Sequence, residues 1–156
     1  MELEKYLSSD VVQCDLAGRV KDDAIKELVT VLCQVNKLPE PGSILQTIFV
    51  REEDRSTGMG NGVAIPHART SLANSIFLAL GRSKQGIEWG SVDGKPAHFI
   101  FLVVGPEKAS GEYLRLLADI SRLMSRVTVR RALLEAGNAA EVLKIINQTK
   151  VRESRI

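Results

Sequence analysis

A chain of 156 residues is long enough for one ordinary domain with a real core and too short for two comfortable ones. Apolar residues make up 44% and charged residues 26%, and 21 Lys and Arg against 19 Asp and Glu leave a formal charge of +2. That balance excludes the disordered and fibrous classes and provides no global field for nucleic acid or a membrane surface.

The start, Met1-Glu2-Leu3-Glu4-Lys5, carries acid where a signal peptide carries base, and no stretch reaches the ~18 apolar residues of a membrane span. The expectation is a soluble, cytoplasmic protein without membrane insertion. Cys14 and Cys33 form no C-x-x-C pair and have no histidine at ligand spacing, so they read as two buried thiols. The short basic run from Lys150 to Arg155 is interrupted by Glu153 and reads as a solvated terminus.

In chain order, Val11, Val12, Cys14 and Leu16 predict a first strand. Ile25, Leu28, Val29, Leu32 and Val35 recur at helical spacing over residues 22–35, stopped by Pro39 and Pro41. A second helix is predicted from about Gly42 to Glu53, with Ile44, Leu45, Ile48 and Phe49 facing inward. Residues 56–62, with three glycines and an Asn, read as a loop.

Val63-Ala64-Ile65 is then a brief strand ended by Pro66, and residues 76–80 are an apolar run of strand length. Trp89-Gly90 and Asp93-Gly94 make residues 86–96 a turn excursion. The strand at residues 99–104 is apolar on both faces, which requires helices over both sides of the sheet. Three closing helices follow: about 110–125, then one capped by Thr128 and running to Glu135, then one capped by Asn138 and running to Ile146. The fold class is α/β (α+β): a single domain with a small mixed β-sheet flanked by helices on both faces. It occupies residues 1–148, and 149–156 form a short polar tail.

The segment Gly60-Asn61-Gly62-Val63-Ala64-Ile65-Pro66-His67-Ala68 places a histidine after a glycine-rich loop, a short strand and a proline. Pro66 fixes its own φ and restricts Ile65, so the imidazole is offered at a strand's end on a stiff backbone. A neutral imidazole is a nitrogen nucleophile near neutral pH and can accept a phosphoryl group as a reactive phosphoramidate. The backbone N–H groups of Asn61, Gly62 and Ala68 are the expected phosphoryl donors, because glycines permit close approach and turns form anion-binding nests. Ser56 and Thr57 lie in the loop with no base partner for hydrolytic chemistry and are expected to contact phosphate.

The string S-T-G-M-G-N-G-V-A-I-P-H-A resembles the phosphorylation-site segment of the fructose/mannitol class of enzyme IIA domains in the bacterial phosphoenolpyruvate-dependent phosphotransferase system (PTS). The resemblance runs from about Leu7 to Ile146 and includes Val50-Arg51-Glu52-Glu53, residues 87–96 and residues 101–107. It implies that His67 is the phosphorylated nucleophile, modified on Nε2 by the phosphocarrier protein HPr. It also implies that Arg51 is the active-site arginine, whose planar donors match phosphoryl oxygens. Many such proteins carry a second histidine where this chain has Tyr113. His98, the other histidine here, reads as a packed or hydrogen-bonded strand residue.

The lead-in to the histidine looks most like the nitrogen-type regulatory branch, and a free-standing chain with a short tail favours that branch. Partners implied are an HPr-type phosphocarrier and then a regulated transporter or kinase. In the alternative, a sugar-specific subunit, the recipient is a IIB domain. A reading of another class is a binding regulator that carries no phosphate, which retention of both Arg51 and His67 argues against. No metal or organic cofactor is required by this chemistry.

Overall fold

The computed structural model describes residues 3–108 and 110–154. Two short 3-10 turns, Leu3–Lys5 and Ser9–Val11, lead into β1 (Val12–Gln13), which is shorter than the predicted first strand. Helix α1 (Lys21–Asn36) places Asp22 and Asp23 in its first turn, where carboxylates complement the helix dipole. It ends at Lys37 in the left-handed region, whose N–H donates to the Cys33 carbonyl, one step before the prolines act. Helix α2 (Pro41–Asp54) begins with Pro41 in its first turn, where the missing N–H costs nothing.

Five strands follow: β2 (Gly58–Gly60), β3 (Val63–Ala64), β4 (His67–Thr70), β5 (Phe77–Ile87) and β6 (Ala97–Pro106). Three helices complete the chain: α3 (Gly111–Met124), α4 (Val127–Glu135) and α5 (Ala139–Ser154). The mixed sheet runs β1-β5-β6-β3-β2, with β4 also paired to β6. β5 and β6 are antiparallel, with Leu78 opposite Val103 and Leu80 opposite Phe101, whereas β3 and β4 run parallel to β6.

Phe101, Leu102, Val103 and Val104 are all fully buried, as a strand covered on both faces requires. Tyr113 of α3 lies over Gly105, and Leu133 and Val142 of α4 and α5 meet Leu80, Arg82 and Phe99, all on one face. The helices α1 and α2 pack on β5 and β4. The α/β architecture with helices on both faces is therefore the one the apolar pattern demanded.

Several local expectations change. β5 continues seven residues past Leu80 as a half-exposed hairpin arm, beyond the apolar run that marked its buried part. Helix α4 starts after Arg126 with no side-chain cap, so Thr128 lies inside the helix. Asn138 does cap, with its side-chain oxygen 2.9 Å from the Glu141 N–H. Helix α5 continues past Ile146 to Ser154, so the polar tail begins helical; Arg155, Ile156, Met1 and Glu2 lie outside the described residues. Cys33 is buried, but Cys14 is only half-buried. Among the described residues, no helix is long and apolar enough to cross a membrane.

Candidate functional site

The histidine sits at an interruption in one line of strand. β3 pairs with β6 as far as Ala64, Ile65 and Pro66 break the run, and β4 resumes pairing at His67 opposite Val103. Proline, lacking an N–H, suits such a gap. Side chains alternate along β4, so Ala68 and Thr70 are buried while His67 and Arg69 project from the same face toward α3. The parallel ladder also turns the backbone N–H groups of His67 and Arg69 away from β6, to the sheet edge.

His67 is half-buried, with Nδ1 2.7 Å from the Ile65 carbonyl oxygen. A carbonyl only accepts, so Nδ1 carries the proton and Nε2 keeps its lone pair. Burial lowers the pKa of the ring, opposed by the Ile65 hydrogen bond; Arg51 and Arg69 push it down and Glu52 pushes it up. The result is a neutral imidazole of defined tautomer whose free nitrogen is the nucleophilic one.

Two cavities share His67 and Arg51. One, of about 400 Å³, runs along Ser56, Met59, Ile65 and Leu117. The other, of about 430 Å³, is bordered by Thr47, Arg69, Tyr113 and Leu114. Arg51 comes from the last turn of α2 and donates one guanidinium nitrogen to the Arg55 carbonyl at 2.9 Å, which secures the helix end and orients the remaining donors.

Behind this wall lies a buried polar network. Glu52 is 8% exposed, accepts from the Thr57 N–H at 3.2 Å and from the Thr57 hydroxyl, and pairs with Lys21 Nζ at 2.7 Å. Trp89 Nε1 donates to the Thr57 hydroxyl at 3.2 Å, and Lys21 stands over the indole ring, 5.4 Å from its centroid.

The predicted phosphate donors do not converge. The Thr57 hydroxyl is committed to Glu52 and Trp89, and that of Ser56 donates to the Trp89 carbonyl at 2.8 Å while accepting from the Gly58 N–H. The Asn61 N–H donates to the Asp93 carboxylate at 3.0 Å, holding that carboxyl below its usual range. Gly62 lies beside His98 and Phe99, four residues along β6 from Val103, which at ~3.3 Å per residue is about 13 Å from His67. Ala68 is a ladder residue opposite Val104. Ser56, Thr57, Asn61 and Gly62 therefore build the frame of the site; Ala68 adjoins the imidazole in β4 but its N–H faces β6, and the β4 amides turned outward are those of His67 and Arg69.

His98 places Nδ1 2.9 Å from the Ser83 carbonyl, on the same distant stretch of β6 as Gly62. Tyr113 stands at the site: its ring centroid is 6.4 Å from that of His67, and it is 3% exposed. The residue missed in the sequence is Arg69. Period-two alternation from His67 would have found it, but four residues reading His-Ala-Arg-Thr carry no apolar signal of a strand.

A mixed α/β domain here displays a neutral, tautomerically fixed imidazole between two arginines, an arrangement chemically able to offer a nitrogen lone pair to an anionic group. The sequence profile of "Phosphoenolpyruvate-dependent sugar phosphotransferase system, EIIA 2" matches residues 5–149, and this chain belongs to that family, a component of phosphoryl transfer. It is 36% identical over 148 residues to the fructose-specific EIIABC component of Bacillus subtilis, covering 95% of this chain and 23% of that protein. It is 30% identical over 148 residues to a nitrogen regulatory protein of Pseudomonas aeruginosa, covering 94% and 95% of the two chains. The crystal structure of nitrogen regulatory protein IIA-Ntr from Neisseria meningitidis superposes with a TM-score of 0.86 at 29% identity, covering 93% of this chain and 99% of that one.

Proposed function

We propose that this chain is a phosphocarrier that accepts a phosphoryl group on Nε2 of His67 from an HPr-type protein and acts mainly as a nitrogen-type regulator. The observation that carries the transfer step is the Nδ1 hydrogen bond to Ile65, which leaves Nε2 as the free nucleophile. In the step, the Nε2 lone pair attacks phosphorus. A nitrogen–phosphorus bond forms on His67 as the bond to the donor's imidazole breaks, and the donor keeps the released electron pair.

The His67 ring becomes cationic, and its Nδ1–H remains on the Ile65 carbonyl, where the hydrogen bond strengthens with that charge. Arg51 meets the phosphoryl oxygens. When the group leaves again, the electrons return to Nε2 and the starting tautomer is restored, so the chain moves no proton.

The regulatory branch is supported by the close fit to the nitrogen regulatory structure. The transport branch, in which phosphate passes to a IIB domain, is supported by the 36% identity with a fructose-specific component. Incubation with phosphoenolpyruvate, enzyme I and HPr, read by intact mass, tests the shared step: wild type gains one phosphoryl group, labile in acid and stable in alkali, and His67→Ala gains none. Uptake by His67→Ala would overturn the assignment. Mixing the phosphorylated protein with sugar-specific IIB domains separates the branches, since a regulator retains its phosphate and a transport subunit loses it rapidly.

A further inference from the structure

Met59 places an exposed thioether on the wall of the cavity that holds His67. That cavity, of about 400 Å³, is lined by Arg51 and the imidazole and also by Met59, Val92, Leu117 and Ala118. A protein donor whose own histidine reaches Nε2 of His67 therefore covers Met59. Met59 is the middle residue of β2; Gly58 and Gly60 on either side are buried, whereas Met59 is 45% exposed.

The sulfur is held in place but chemically uncommitted. It lies 3.6 Å from Oγ of Ser121 on α3, and the single proton of that hydroxyl goes to the Leu117 carbonyl at 3.1 Å, because a thioether is the weaker acceptor. The remaining sulfur atoms among the described residues are poorer targets for an oxidant. Met124 is 2% exposed and Cys33 is buried. Burial pushes the thiols of Cys14 and Cys33 up, so little of the reactive thiolate forms at neutral pH.

We propose that Met59 is a modification site, oxidised to the sulfoxide by hydrogen peroxide, and that the sulfoxide blocks phosphoryl exchange with protein partners while leaving the His67 nucleophile intact. The inference rests on the phosphocarrier reading and adds to it a reversible control. A sulfur lone pair attacks one peroxide oxygen, the O–O bond breaks, and the other oxygen leaves as hydroxide. The hydroxide takes the proton from the new S–OH group and becomes water, so sulfur is oxidised by two electrons and the peroxide reduced by two.

The product carries a strongly polar oxygen on a wall that Val92, Leu117 and Ala118 otherwise make apolar. A docking protein must bury that oxygen or stand away from it, and both hinder the approach to Nε2. A small donor that reaches His67 without covering Met59 meets no such obstacle.

The test uses the full chain, oxidised with hydrogen peroxide and mapped by peptide mass. One oxygen should be found on Met59 well before any on Met124. Phosphoryl acceptance from phosphorylated HPr should then fall about tenfold, the effect of one unpaired polar group at an interface. Acceptance from phosphoramidate, a small donor, should stay within about twofold of the untreated protein. Methionine sulfoxide reductases acting on both sulfoxide epimers, supplied with a thiol reductant, should restore the rate with HPr.

Met59→Leu carried through the same treatment should match its own untreated sample, which separates Met59 from oxidation elsewhere in the chain. Undiminished acceptance from HPr by protein oxidised at Met59, an equal loss with both donors, or an equal loss in Met59→Leu would overturn this role and leave the phosphocarrier reading standing. Failure of the untreated protein to take phosphate from either donor would remove both.

Discussion

Replacing Glu52 with Gln tests whether the buried network behind the site holds the protein together as the geometry implies. Glu52 receives the Thr57 N–H, the Thr57 hydroxyl and Lys21 Nζ, and its side chain is only 6% exposed. Glutamine preserves shape and can still accept from Thr57 through its oxygen. Its NH₂ group, however, must face either the lysine or a Thr57 donor.

Hydrogen bonds to a charged group contribute about 1.5–3 kcal/mol each, and breaking a fully buried pair costs about 3–5 kcal/mol. Lys21 is 23% exposed and keeps the Trp89 carbonyl at 3.2 Å, so the upper range does not apply. The expected loss is about 2–3 kcal/mol, or a fall of about 4–12 °C in Tm for a chain of this size.

Trp89, the single tryptophan, lies inside the network and reports unfolding in denaturant directly. A cycle with Lys21→Met should show a coupling of about 1.5 kcal/mol. If Glu52→Gln unfolds within about 0.5 kcal/mol of wild type at unchanged slope and the cycle is additive, the pair is a surface contact and the reasoning fails.

Arg51→Lys should slow phosphoryl acceptance at least tenfold while the protein stays folded, because lysine keeps the charge and loses the planar fork; single-turnover kinetics check this. His67 should titrate below the ordinary value of about 6.5, read from its ring protons by NMR, and Arg51→Ala should raise the midpoint only part of the way, since burial is the leading cause. The linked stability is full above about 6.5 and is lost as pH falls through the folded midpoint, because there the unfolded chain binds the extra proton. Arg82 is 3% exposed and donates to the Cys14 carbonyl, to the Leu133 carbonyl of α4 and to the carbonyl of Ala136 just past that helix, so Arg82→Met should cost about 3–5 kcal/mol in denaturant unfolding.

What could be read in the sequence follows from which signals are local. Helices α1, α2 and α3 display apolar stripes several turns long, and β6 is a continuous apolar run, so periodicity alone places them. β4 is four residues long and its strand character comes from β6, remote in sequence, while β2 is three residues that pair locally with β3 through an irregular register and carry no apolar alternation. The histidine was legible because proline and glycine mark the backbone around it. The network of Lys21, Glu52, Thr57 and Trp89 was not, because it gathers a helix start, a helix end, a loop and a hairpin connection. Thr57 shows the difference: its place in the loop predicts a phosphate contact, whereas its neighbours in space have already taken its hydroxyl.

The glycine turn raises a different question, since it lies about 13 Å or more from the imidazole it precedes. Gly60, Asn61 and Gly62 all have positive φ, at 89°, 57° and 78°, and this reversal folds β2 back on β3 so that the Ile65 N–H reaches the Thr57 carbonyl at 3.2 Å. That bond brings the end of α2, with Arg51 and Glu52, to the histidine. The turn thus acts on the site through chain direction, with Asp93 pinning the Asn61 amide.

Gly62→Ala separates this role from a phosphate cradle. The new Cβ would sit 3.3 Å from the His98 ring and force a left-handed alanine, at a cost of about 1–2 kcal/mol. Denaturant unfolding should show that loss, while phosphoryl acceptance by the folded protein should stay within about twofold of wild type, because no contact with the phosphoryl group is removed. Acceptance reduced tenfold or more in a variant that remains folded would mean that the Gly62 amide reaches the transferring group after all, and the glycine segment would then be part of the phosphate site rather than its frame.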